Sequence, residues 1–72
     1  MIKNRIYEII RERFGVDGIN DDMVLREDFS VDSITLLELI MDAEEEFNVE
    51  IEDEDLASFN TVGDIVKYFE SI

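Results

Sequence analysis

The chain contains no cysteine, no histidine and no proline. Without cysteine it can form neither a disulfide framework nor a thiolate metal site. Without histidine it lacks the usual general base near neutral pH and the commonest metal ligand. Catalysis would have to rest on carboxylates, hydroxyls or lysine, and no nucleophile–base pair can be assembled from them. Accordingly no catalytic residue and no metal ligand is assigned. The lack of proline, with only three glycines, leaves little to interrupt helices. Positive charge is scarce as well: 6 basic residues stand against 20 acidic ones, a net charge of −14. Such a chain repels nucleic-acid phosphates and anionic lipid surfaces and attracts basic protein surfaces. No apolar run approaches a membrane span, and the first residues have no continuous apolar stretch like that of a secretory signal. The expectation is a cytoplasmic protein with no nucleic-acid partner and no membrane insertion.

What is present fits one small domain. The 72 residues are 46% hydrophobic, too apolar for a disordered chain despite the charge. A single domain over residues 1–72, monomeric, is expected. The charge is unevenly spread. Lys3, Arg5, Arg11 and Arg13 face only Glu8 and Glu12 in the first thirteen residues, a local charge of +2, which leaves −16 for the rest.

Hydrophobic periodicity places four helical segments. The first covers residues 3–14, where Ile6, Ile10 and Phe14 recur every four residues, widened by Ile2, Tyr7 and Ile9, and Gly15 is placed to stop it. Residues 16–32 read as a long connection rich in turn formers, with Val24, Leu25 and Phe29 available to pin it to the core. The second helix covers residues 33–47 with Asp32 as its cap. A short acidic third covers 53–58, anchored by Leu56 and Phe59. The fourth covers 61–71, opened by a capping box of Thr61 and Asp64, with Val62, Ile65, Val66 and Phe69 as its buried stripe. Val49 and Ile51 alternate with Glu50 and Glu52 in the manner of a strand, but too briefly to build a sheet. The fold class is therefore all-α: a small antiparallel bundle of three main helices plus a short third one, with a long loop between the first two helices.

The second helix has two apolar faces. At about 100° per residue, Leu36, Leu39, Ile40, Ala43 and Phe47 share one arc wide enough to face a core. Ile34, Leu37 and Met41 fall outside it, with Glu38, Glu44 and Glu45 as neighbours. These six residues read as a docking face, apolar contacts giving affinity and carboxylates steering basic partners. Asp17, Asp21, Asp22 and Asp28 suggest calcium, but an EF-hand loop begun at Asp17 would place Ile19, Asp22 and Asp28 where an oxygen ligand, a glycine and a glutamate are needed.

The stretch Asp28-Phe29-Ser30-Val31-Asp32-Ser33-Ile34 closes the loop and opens the acidic helix. Here the chain resembles the acyl carrier proteins, whose Asp-Ser-Leu lies at the same junction ahead of an amphipathic acidic helix. Asp32-Ser33-Ile34 matches with Ile for Leu. Leu37-Glu38-Leu39-Ile40-Met41 and Glu44-Glu45-Glu46-Phe47 continue the likeness, which covers essentially the whole chain. The resemblance implies that Ser33 takes a covalent 4'-phosphopantetheine arm from coenzyme A, moved by a phosphopantetheinyl transferase whose magnesium ion supplies the catalysis. The arm would carry acyl groups as thioesters, presented to acyl-processing enzymes with basic docking surfaces in fatty acid, polyketide or related pathways. The protein would then be a carrier and not an enzyme. Three departures stand out: Ser30 occupies the place of a glycine common in the family, Ile51-Glu52 replaces a common proline, and the amino-terminal helix is unusually basic. The alternative from another class is a small acidic helical adaptor or inhibitor that binds basic partners without modification.

Overall fold

The computed structural model describes residues 2–71. It contains α1 (Ile2–Phe14), α2 (Leu25–Asp28), α3 (Ser33–Phe47), α4 (Asp53–Leu56) and α5 (Val62–Glu70), with no strand among the described residues. The three long helices form the bundle, and the brief alternation at Val49–Glu52 is irregular backbone.

The arrangement follows from where the apolar stripes fall. Helix α1 buries Ile6, Ile9 and Ile10 and packs against both α3 and α5. Helix α3 contributes Leu39, Ile40 and Ala43, and α5 contributes Val62, Ile65, Val66 and Phe69. Phe47 meets Phe69 in a tilted ring pair with centroids 5.3 Å apart, joining the end of α3 to α5. Two members of the arc expected on α3, Leu36 and Phe47, are only half-buried and pack against the margin of the core. Phe14 is likewise half-buried and stacks on Phe29 of the loop at 5.2 Å.

Charge reinforces the α1–α3 contact. Arg5 bridges Glu8 in its own helix at 2.6 Å and Glu46 of α3 at 2.7 Å, and Arg13 pairs with Asp42 of α3. The basic character of α1 is therefore largely satisfied within the molecule. Such exposed pairs contribute little one by one, but here they set the two helices in register. Gly15 ends α1 with φ +65° and returns its N–H to the Arg11 carbonyl at 2.7 Å.

The long connection corrects the sequence reading. It contains a one-turn helix, α2, that no periodicity could reveal because a single turn is too short to show one. Leu25 is fully buried, its N–H donates to the Asn60 carbonyl at 2.9 Å, and Val62 N–H donates to the Met23 carbonyl at 3.0 Å. Val24 and Thr61 form an antiparallel bridge. Gly63 N–H donates to the Asp21 carbonyl at 2.9 Å, and a Cβ at this glycine would stand 3.1 Å from Asp21, so the loop closes tightly on the start of α5. Two of the acidic loop residues are taken up locally. Asp21 accepts from the Tyr7 hydroxyl and pairs with Lys3 at 3.3 Å, and Asp28 accepts from Val24 N–H at 2.6 Å.

Helix α5 opens with the expected capping box. Asp64 N–H donates to Thr61 Oγ1 at 3.2 Å, and Asp64 Oδ2 accepts from Thr61 N–H at 3.0 Å and Asn60 N–H at 2.9 Å. The Asn60 and Thr61 N–H groups hold the Asp64 carboxyl below its ordinary value. Its contribution to stability is complete above the unfolded carboxyl value of about 4 and is lost as pH falls through the lower folded value. Asp64→Ala should therefore cost about 1 kcal/mol at neutral pH. Melting curves should show the gap to wild type closing below about pH 4.

Ser30 adopts φ +54°, the left-handed region in which a Cβ is strained. This is the position where the resemblance to acyl carrier proteins implies a glycine. Ser30→Gly relieves that strain at the expense of a more flexible unfolded chain, so a net gain of about 0.5 kcal/mol is expected. A melting temperature for this variant at or below that of wild type would show that the left-handed serine is not strained.

Candidate functional site

The site is built around the first turn of α3. Asp32 precedes it in extended conformation, and its Oδ1 accepts the Thr35 N–H at 2.8 Å. That bond is the main reason its carboxyl lies below the ordinary value, so the cap is an anion at neutral pH. Leu36 N–H reaches the Asp32 carbonyl at 2.9 Å and continues the helix. Ser33 is therefore the first residue of a firmly capped helix, and it is exposed. Val31 is buried on the other side of the cap, which fixes the direction in which the chain enters α3.

Ser33 stands at the edge of a cleft of about 390 Å³. Its apolar lining comes from several segments: Leu25 of α2, Val31, Leu36 and Leu37 of α3, Leu56 of α4, and Phe59. Arg26, Asp32, Asp53 and Asn60 supply the polar part of the lining. No local sequence pattern reveals this cleft. Leu56 and Phe59 were legible as anchors and Leu36 as core, but only the folded chain brings them beside Ser33.

The outer face of α3 carries Ile34, Leu37 and Met41, which are 71%, 43% and 55% exposed. These are large values for apolar side chains on one helix of so small a protein. Glu38 and Glu45 are exposed beside them. Glu44 differs. It is half-buried, and its Oε2 accepts from Ile51 N–H at 2.6 Å, tying the segment after α3 back onto the helix. Asn48 ends α3 in the left-handed region, and Val49 N–H returns to the Glu44 carbonyl at 3.0 Å. So of the six residues expected to share this face, five are exposed and Glu44 has a structural bond. Ser33 lies at the amino-terminal end of the same helix.

An exposed hydroxyl next to an apolar cleft can accept a covalently attached group and shelter part of what that group bears. A 4'-phosphopantetheine arm fits this arrangement, because its point of attachment must be accessible.

The sequence matches a family model described as "Phosphopantetheine attachment site" over residues 4–69. A solved structure assigned as an acyl carrier protein from Mycobacterium tuberculosis superposes with a TM-score of 0.91 at 30% identity, covering 99% of this chain and 97% of that one. The acyl carrier protein of Enterococcus faecalis superposes with a TM-score of 0.82 at 32% identity, covering 97% and 91%. Five helices in this order, the capped junction ahead of α3 and a match along nearly the whole chain lead to one conclusion: the protein belongs to the acyl carrier proteins, the family defined by a phosphopantetheine attachment site.

Proposed function

We propose that the protein carries acyl groups as thioesters on a 4'-phosphopantetheine arm joined to Ser33, and presents them to enzymes of fatty acid, polyketide or related biosynthesis. The observation that carries this reading is the exposed Ser33 hydroxyl on the rim of an apolar cleft. When bound, the arm supplies the thiol that the cysteine-free chain lacks. The protein's own residues do the rest. Asp32 fixes the turn that presents Ser33, and the cleft can remove part of an alkyl cargo from water at about 0.8 kcal/mol per methylene. In the modification itself Ser33 Oγ forms a bond to the phosphorus of coenzyme A that bears the pantetheine. The pyrophosphate linkage breaks, adenosine 3',5'-bisphosphate leaves, and the transferase takes the hydroxyl proton. The carrier needs no base of its own, which suits a chain without histidine.

Incubation with coenzyme A, magnesium and a broad-specificity transferase tests the assignment. Wild type should gain one phosphopantetheine by intact mass and Ser33→Ala none. Modification of the Ser33→Ala protein would remove Ser33 from the mechanism.

The exposed face of α3 supports a docking role for Ile34, Leu37 and Met41 with Glu38 and Glu45. Glu44 belongs to that face through its place on the helix, although its bond to Ile51 N–H gives it a second task. Carboxylates there would mainly speed association with a basic enzyme surface, and apolar contacts would slow dissociation. Glu38→Lys should therefore slow transfer by several-fold at low salt, an effect that fades as salt is raised. Met41→Ala should weaken partner binding by about 1 kcal/mol. Transfer kinetics measured beside thermal melts separate these effects from misfolding. Normal kinetics in both variants would exclude the face.

A further inference from the structure

We infer that Arg26 is the counter-charge of the phosphodiester linking the arm to the protein, so that the rim of the Ser33 cleft holds a hydroxyl and a guanidinium acting on one anion. This rests on attachment at Ser33 as proposed above.

Beyond residue 13 the chain has 18 carboxylates and only two cations, Arg26 and Lys67. Lys67 is on α5, where it helps to hold the Asp21 and Asp64 carboxyls down. Arg26 is on α2, is exposed, and among the described residues joins none of the ion pairs. Arg11 and Lys67 share that lack of an ion pair among the described residues, so it is position that sets Arg26 apart. Of these three it alone lines the same cleft as Ser33.

The electrostatics of that rim make a cation necessary. Asp32 and Asp53 also line the cleft, and Asp32 is held as an anion by the Thr35 N–H. A phosphodiester on Ser33 adds another negative charge next to them, and like charges at close range oppose one another. The start of α3 offsets part of this, and a guanidinium does so more specifically, since its N–H groups can donate in pairs to phosphate oxygens. The backbone that carries Arg26 is held firmly. Leu25 beside it is buried and bonded to the Asn60 carbonyl, and Asp28 closes the same turn on Val24 N–H at 2.6 Å. The one-turn helix α2 thus keeps the root of the arginine on the wall of the cleft that the first turn of α3 also lines.

The test compares wild type, Arg26→Gln and Arg26→Lys, with Arg11→Gln as a charge-matched control. Arg11 is exposed on α1 and also unpaired among the described residues. Each protein is prepared without and with the arm, melted at low and at high salt, and the phosphodiester is observed by phosphorus NMR. Attaching the arm should lower the melting temperature of Arg26→Gln, relative to the change in wild type, by about 2 °C or more at low salt. The difference should vanish near 1 M salt. Arg26→Lys should restore most of it, Arg11→Gln should follow wild type, and the phosphorus resonance should move only when residue 26 loses its charge. Equal arm-dependent shifts in wild type and Arg26→Gln, or equal effects of the Arg26 and Arg11 variants, would overturn the pairing while leaving attachment intact. A wild-type chain that gains no arm would overturn the attachment reading and this inference with it.

Discussion

Helix α1 is the surface against which both other long helices are organised. It buries Ile6, Ile9 and Ile10 between α3 and α5 and carries four of the six cations of the chain. Helix α3 has five carboxylates and no basic residue. Apart from α1, the remainder of the sequence offers that helix mostly like charge, with Arg26 and Lys67 its only cations. Laying the one basic segment on the most acidic helix joins apolar burial and ion pairing in one contact. The bundle can thus remain compact at a net charge of −14.

This contact also explains why α3 can carry a site. Its inner stripe, Leu39, Ile40 and Ala43, is enough to hold it, so the outer stripe is free of structural duty. Its first turn is secured separately by Asp32 and by the loop that α2 and the Val24–Thr61 bridge pin down. Ser33 therefore stays exposed on a backbone that is well defined. Precision at the site comes from the loop, and stability comes mostly from elsewhere.

Much of this was legible in the residues. The stripes of α1, α3 and α5 show at helical spacing, the Thr61–Asp64 box follows from residue type, and Ile34, Leu37 and Met41 stood out because they miss the core arc. Three features were not legible, each for a physical reason. Helix α2 is one turn long and has no period. The cleft draws its walls from segments remote in sequence, so no local window contains it. Glu44 looks like any exposed glutamate on a helix until the chain folds back and brings Ile51 N–H to it. The departure at Ser30 was visible, but its left-handed conformation belongs to the turn that follows α2.

The bridges from Arg5 to Glu46 and from Arg13 to Asp42 neutralise one flank of α3 and leave the other untouched. Glu38 and Glu45, with Glu50, Glu52, Asp53 and Glu54 beyond the helix, remain exposed and outside any ion pair among the described residues. The molecule is thus an electrical dipole with its negative pole on the α3–α4 side. In the field of a cationic surface such a body experiences a torque as well as a pull. It would turn that pole forward while still separated by solvent, so that orientation is partly settled before the first contact is made.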